Sequence, residues 1–146
     1  MKWINHRMVT GAVIYAATEN LVSTACAVIG SVWPDQVEGK PGTSEWSKRH
    51  RGLSHWPMLY LALLLLVMSS PVNFVLDENF NLQRMLAFML VGALMHIAED
   101  AFCGKVPVFT PRRKYGYRIF YVGTPGEYVF SVALIVLVYL LKANGF

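Results

Sequence analysis

The chain has 146 residues, of which 55% are hydrophobic and 15% charged, with a formal net charge of +4. An average soluble domain carries about 25% charged residues, and the charges here are bunched into short stretches with long apolar runs between them. The length allows one domain and excludes two comfortable ones, while the composition points to lipid as the solvent; in that setting a small positive balance marks cytoplasmic loops rather than a nucleic-acid surface.

In chain order, MKWINHRM lacks a long apolar region followed by a small-residue cleavage site, so no removable signal peptide is expected. Two apolar pieces follow, at 8–17 and 21–33, parted by Thr18, Glu19 and Asn20. Each is short for a span. They read either as a helical hairpin turning at Glu19 and Asn20 or as one continuous helix, and the hairpin is preferred because a Glu beside an Asn in mid-bilayer is costly unless both are paired. The stretch from Glu38 to Ser44 reads as a loop.

Residues 56–74, which include LALLLLVM, have about the length needed to cross a hydrocarbon core of roughly 30 Å and give the surest spanning helix. Segments 82–98 and 126–141 are two further spans. The expected fold is therefore all-α: a polytopic membrane bundle of three spanning helices plus the N-terminal hairpin, in a single domain over 1–146. Lys48, Arg49 and Arg51 precede the first span and Arg112, Arg113, Lys114 and Arg118 follow the second, while Asp77 and Glu78 lie between them. Basic loops face the cytoplasm. Trp33, Trp46, Trp56 and Tyr60 sit near proposed boundaries, as an interfacial belt would place them, and Cys26 and Cys103 read as free buried thiols without a CxxC spacing.

The chemistry concentrates in a few polar residues at helix mouths. The four histidines are His6, His50, His55 and His96, and the nearest acids, Glu99 aside, are Asp35 and Asp100. His96 and Asp100 are spaced i, i+4 on a helix, so they share one face and can grip one ion, or else form an ordinary helix-surface pair. HRGLSH puts His50 and His55 around Gly52, which permits a sharp turn, with Arg51 between them; alternatively it is a cationic interfacial anchor. Ionisable groups at membrane depth tend to pair and to mark function, and the hairpin reading returns all of these residues to one face. Imidazole nitrogens mixed with carboxylate oxygens suit a divalent transition metal, zinc first, with manganese or iron as alternatives. Such an ion lowers the pKa of a bound water and makes hydrolysis the natural chemistry. Arg51 and the PRRKYGYR loop, Arg112 included, could hold a substrate phosphate or simply meet lipid headgroups. Glu127 reads as the N-terminal cap of the last helix, and Thr10 as a hydrogen-bonding group between helices.

His6 before the first helix, GSVWPD ending in Asp35, HRGLSH, and HIAED followed by GKVPVFTP occur in an order and spacing that resembles the YdjM-type family of LexA-regulated membrane proteins, read as metal-dependent hydrolases. The resemblance covers most of the chain. It departs after Asp35, where the family often has a further Asp and then a His and this chain has Val37 and Glu38. It implies a multi-pass protein of the bacterial inner membrane with a cytoplasm-facing site and phospholipase-like activity. The ligand pool is His6, Asp35, His50, His55, His96 and Asp100, with His50 and Arg51 as the catalytic candidates and Arg51 and Arg112 as substrate contacts. Membrane lipids, including a phospholipid or lipid-linked substrate, are the expected partners, and no nucleic acid is. The rivals are a metal or proton transporter or sensor, and a structural subunit. The sequence carries no signal for oligomeric state.

Overall fold

The computed structural model describes residues 1–39, 43–44, 50–71, 75 and 80–145. Trp46, Lys48, Arg49, Phe74, Asp77 and Glu78 lie outside them. The chain runs α1 (Trp3–Thr18), α2 (Leu21–Gly30), a one-turn α3 (Trp33–Gln36), a 3-10 turn (Leu53–His55), α4 (Pro57–Ser69), α5 (Leu82–Cys103), β1 (Val106–Thr110), β2 (Arg113–Tyr115) and α6 (Pro125–Ala143).

Local chemistry sets these boundaries. Glu19 ends α1 in the left-handed region with φ 52°. Asn20 then caps α2, its side chain accepting from Ser23 N at 2.8 Å, so the peptide groups at the break are satisfied and the two helices pack side by side. Asn81 opens α5 in the same way, accepting from Arg84 N at 3.0 Å. Glu19, at the far side of the molecule from its helix start, meets Lys142 Nζ at 2.6 Å.

The apolar run at 56–74 does not give a full span. Its helix stops at Ser69 after 13 residues, where Ser70 turns extended (φ −66°, ψ 131°), as a residue preceding proline is driven to do. At about 1.5 Å per residue α4 covers roughly 20 Å, short of a hydrocarbon core. Among the described residues two helices, α5 and α6, are long and apolar enough to cross. The all-α expectation also missed a feature: Val106–Thr110 and Arg113–Tyr115 form an antiparallel hairpin with an irregular register, built on a β-branched Val-Pro-Val-Phe-Thr segment in what read as a basic loop.

Helix α5 is the centre of the packing, touching α1, α2 and α4. Its contact with α2 is backbone to backbone: a Cβ at Gly30 would overlap the Met89 carbonyl, and one at Gly92 would overlap the Ala27 carbonyl. Small residues at a helix crossing allow this approach where lipid offers no hydrophobic drive. One core cluster joins Tyr60, Leu90, Ala93, Ile97 and Val106. Tyr60 is thus a core residue rather than part of an interfacial belt, and its hydroxyl donates to Ser54 O at 2.8 Å. Outward, α4 and α6 present bare apolar side chains, among them Leu65, Leu66, Val129 and Leu140, a surface that suits lipid. Both cysteines are buried free thiols.

Candidate metal centre

The last two turns of α5, the turn after α2, the 3-10 turn and the start of α1 meet at one end of the bundle. His6, His55 and His96 are fully buried there, and Asp35 and Asp100 nearly so. Five of the separations among four of their atoms fall between 3.2 and 4.0 Å: His55 Nε2 to His96 Nε2 3.2 Å, His55 Nε2 to Asp35 Oδ1 3.4 Å, His96 Nε2 to Asp35 Oδ1 3.6 Å, His55 Nε2 to Asp100 Oδ2 3.7 Å, and His96 Nε2 to Asp100 Oδ2 4.0 Å. An ion bound tetrahedrally at about 2.0–2.1 Å holds its ligand atoms about 3.3–3.4 Å apart. The residues fit such an ion.

What faces the centre is fixed from behind. His96 Nδ1 lies 2.7 Å from Ser31 O, a group that only accepts, so Nδ1 carries the proton and Nε2 presents a lone pair. Glu38 does the same for His55, with Oε1 at 3.1 Å from Nδ1, and for His50, with Oε2 at 2.8 Å from Nδ1. Glu99 Oε2 takes the His6 Nδ1 proton at 2.6 Å, while Thr10 donates to the other Glu99 oxygen at 3.3 Å. The remaining His6 nitrogen, Nε2, has no hydrogen-bond partner and lies 3.4 Å from Asp100 Oδ1. Asp35 is aimed likewise: Trp3 Nε1 donates to its Oδ2 at 2.8 Å, leaving the buried Oδ1 without a hydrogen bond. Imidazoles held through one nitrogen by an oxygen acceptor, with the other nitrogen pointing inward, are how proteins orient metal-binding histidines.

Charge is arranged to match. Burial would raise the Asp35 carboxyl, but His55, His96 and Trp3 hold it well below the usual carboxylate range. Glu38 is pushed up by burial and pulled down more strongly by His50, His55 and Ser54, to about 2. Both are anions at any physiological pH. Arg51 Nε lies 2.9 Å from Asp100 Oδ2 as an ion pair without hydrogen-bond alignment, and the Met1 amine pairs with Asp100 Oδ1. In HRGLSH it is Arg51, not Gly52, that adopts the left-handed backbone, with φ 56°, a conformation costing a non-glycine residue about 1–3 kcal/mol. A cavity of about 610 Å³ opens beside the centre, lined by Trp3, Asp35, His50, Arg51, Asp100 and Val122 among others.

Of the residues singled out in the sequence, His6, Asp35, His55, His96 and Asp100 come together, and His50 and Arg51 sit at the rim. Arg112 does not join them; it is an exposed turn residue between β1 and β2. The sequence reading missed Glu38 and passed over Glu99, which hold imidazoles in place, and the Ser31 carbonyl, for which no side-chain signal exists. Glu127 goes beyond capping: fully buried, it accepts from Gly123 N, Lys2 N and Asn5 Nδ2, each at 2.5 Å, and so ties the start of α1 to α6.

The family model described as YdjM inner membrane protein matches residues 1–145. No curated protein and no solved structure matches the chain.

Proposed function

The chain belongs to the YdjM inner membrane protein family, and from that membership we propose that it is a multi-pass, metal-dependent hydrolase acting on an ester or phosphoester at the cytoplasmic face of the inner membrane. One observation carries the reading: two imidazole nitrogens, with their protons held on the opposite side of each ring, face two carboxylate oxygens across 3.2–4.0 Å. Four electron-pair donors buried this closely repel one another, and Arg51 and the Met1 amine offset only the Asp100 oxygens, which favours a cation among the rest. Asp35, His55, His96 and Asp100 would hold that ion, with His6 Nε2 beside them. A divalent transition ion there, zinc first, supplies Lewis acidity and makes water a nucleophile near neutral pH.

The other groups then have defined tasks. His50, oriented by Glu38 at its Nδ1 and standing on the cavity wall, serves as general base for the attacking water. Arg51, at the cavity wall, stabilises negative charge developing on the substrate. The apolar flanks of α4 and α6 let a lipid substrate arrive sideways from the bilayer, and the basic loop containing Arg112, Arg113 and Lys114 orients the site toward the cytoplasm and meets anionic headgroups. A transport site belongs nearer mid-bilayer, whereas His96 and Asp100 occupy the last two turns of α5, which favours the hydrolase.

The test is metal analysis of the purified full chain together with turnover of phospholipid in mixed micelles. A stoichiometric transition metal is expected; chelation abolishes hydrolysis and zinc restores it, with manganese and iron(II) as parallel arms. Undiminished hydrolysis by metal-free protein would defeat the proposal. Glu38 supplies a second check. Glu38→Gln cannot accept from both imidazoles as a carboxylate does, so metal affinity should fall about 10–100-fold, measured by competition with a chelating dye, with helical circular dichroism unchanged. Wild-type affinity in that variant would remove Glu38 from its orienting role.

A further inference from the structure

On the other side of Arg51 from the donor set lies a second cavity, of about 480 Å³, lined by Arg51, Gly104, Lys105, Gly116 and Arg118. Among the described residues its lining carries three cations and no carboxylate. The sequence reading named two of these, Arg51 and the Arg118 that ends PRRKYGYR, as candidate phosphate contacts; it did not bring Lys105, thirteen positions before Arg118, to them.

The backbone builds this cavity deliberately. Residues 117–119 run back along the end of α5: Tyr117 N donates to Ala101 O and Ile119 N to Phe102 O, both at 2.9 Å, and Cys103 bridges to Arg118. That pairing sets Arg118 beside Gly104 and Lys105. Gly116 lets the walls close, and Gly104 leaves room for the Arg51 guanidinium where it stands. A Cβ at Gly104 would overlap the Arg51 guanidinium, and one at Gly116, whose φ is 154°, would overlap the Gly104 and Ala101 carbonyls. Arg118 rests against the Tyr121 ring at 5.3 Å from its centroid, which steadies its guanidinium. Arg51 belongs to both cavities, so whatever occupies the cationic one is in touch with the group nearest Asp100.

We propose that this cavity is a phosphate-binding subsite, in which Lys105 and Arg118 hold the phosphate group and Arg51 joins it to the metal centre. Arg51 already pairs with Asp100, which leaves Lys105 and Arg118 as two exposed cations facing the cavity, each able to meet an anionic guest. A single carboxylate would compensate one of them. A phosphate ester offers several oxygens in a tetrahedral spread, and guanidinium forks bind that shape through paired hydrogen bonds. The inference rests on the hydrolase reading and narrows it: the substrate carries phosphorus. The phosphate can belong to a lipid headgroup or to a water-soluble phosphoester.

The experiment uses the purified full chain in neutral detergent. Binding of inorganic phosphate, glycerol phosphate and a short-chain phosphatidic acid is measured by calorimetry, with acetate as the carboxylate control, on wild type and on K105Q/R118Q. Affinity for phosphate should fall by about tenfold for each cation lost. K105R/R118K should keep it, and metal content should stay equal in all three proteins. Preference for phosphatidic acid over glycerol phosphate identifies a lipid source; the reverse identifies a soluble one. Wild type that binds no phosphate or binds acetate equally well overturns the subsite. So does a double variant that binds like wild type, or one that loses its metal together with its phosphate affinity. Phosphate binding by a chain found to hold no metal and to turn nothing over would sink the hydrolase reading and leave the anion subsite standing.

Discussion

Replacing Asp100 by asparagine is expected to strip the metal from the protein and abolish hydrolysis in one step. Asp100 is 2% exposed, and its two oxygens do different work: Oδ2 faces His55 and His96 and pairs with Arg51 Nε, while Oδ1 meets His6 Nε2 and the Met1 amine. The amide keeps the shape but brings no charge, and its NH2 must point a proton at one of these groups. Loss of a partner that merely orients a ligand costs metal affinity about 10–100-fold, and loss of a ligand should exceed that. Both variants take away the charge that pairs with Arg51, and breaking a buried ion pair typically costs about 3–5 kcal/mol; asparagine keeps an amide oxygen that can still accept from Arg51 Nε, whereas alanine leaves no acceptor there and a void besides. The two variants therefore differ in degree of folding injury: asparagine should be metal-free with a modest loss of thermal stability, and alanine should be metal-free with a larger one. An asparagine variant with a full complement of metal would remove Asp100 from the ligand set.

The second large effect belongs to the crossing of α2 and α5. Gly92→Val should lower the melting midpoint in detergent by about 10 °C, because overpacking costs typically 1–3 kcal/mol, and here the obstacle is the Ala27 backbone carbonyl rather than a yielding side chain. The same crossing brings Ser31 O to His96 Nδ1, so metal affinity should decline with it. Gly126→Ala is the control, since its Cβ would stand at an ordinary 3.5 Å from Phe120. If scanning calorimetry finds both variants equally stable, the two helices do not approach as described.

What the sequence disclosed followed from the cost of polar groups near lipid. Four histidines and two aspartates at helix mouths could be singled out because apolar surroundings make their presence expensive, and five of them do converge. Glu38 carried a weaker signal: three residues after Asp35, it seemed a departure from a family pattern, and its link to His50 and His55 depends on the chain folding back across a dozen and more positions. Ser31 acts through its backbone, which every residue possesses. The overlong reading of α4 came from weighing LALLLLVM above the Ser-Ser-Pro that ends it. The hairpin escaped because Arg112, Arg113 and Lys114 drew attention to charge, while the β-branched residues before them formed the strand.

The oxygens behind the rings have one more consequence. Ser31, Glu38 and Glu99 stand outside the donor set and hold the imidazoles in their headings without taking a donor atom from it. Rotamer freedom is surrendered when the helices assemble, not when the guest is captured. On the metal-dependent reading, an ion would then load with little change in shape and a small entropic penalty, into a mould cast beforehand by the fold.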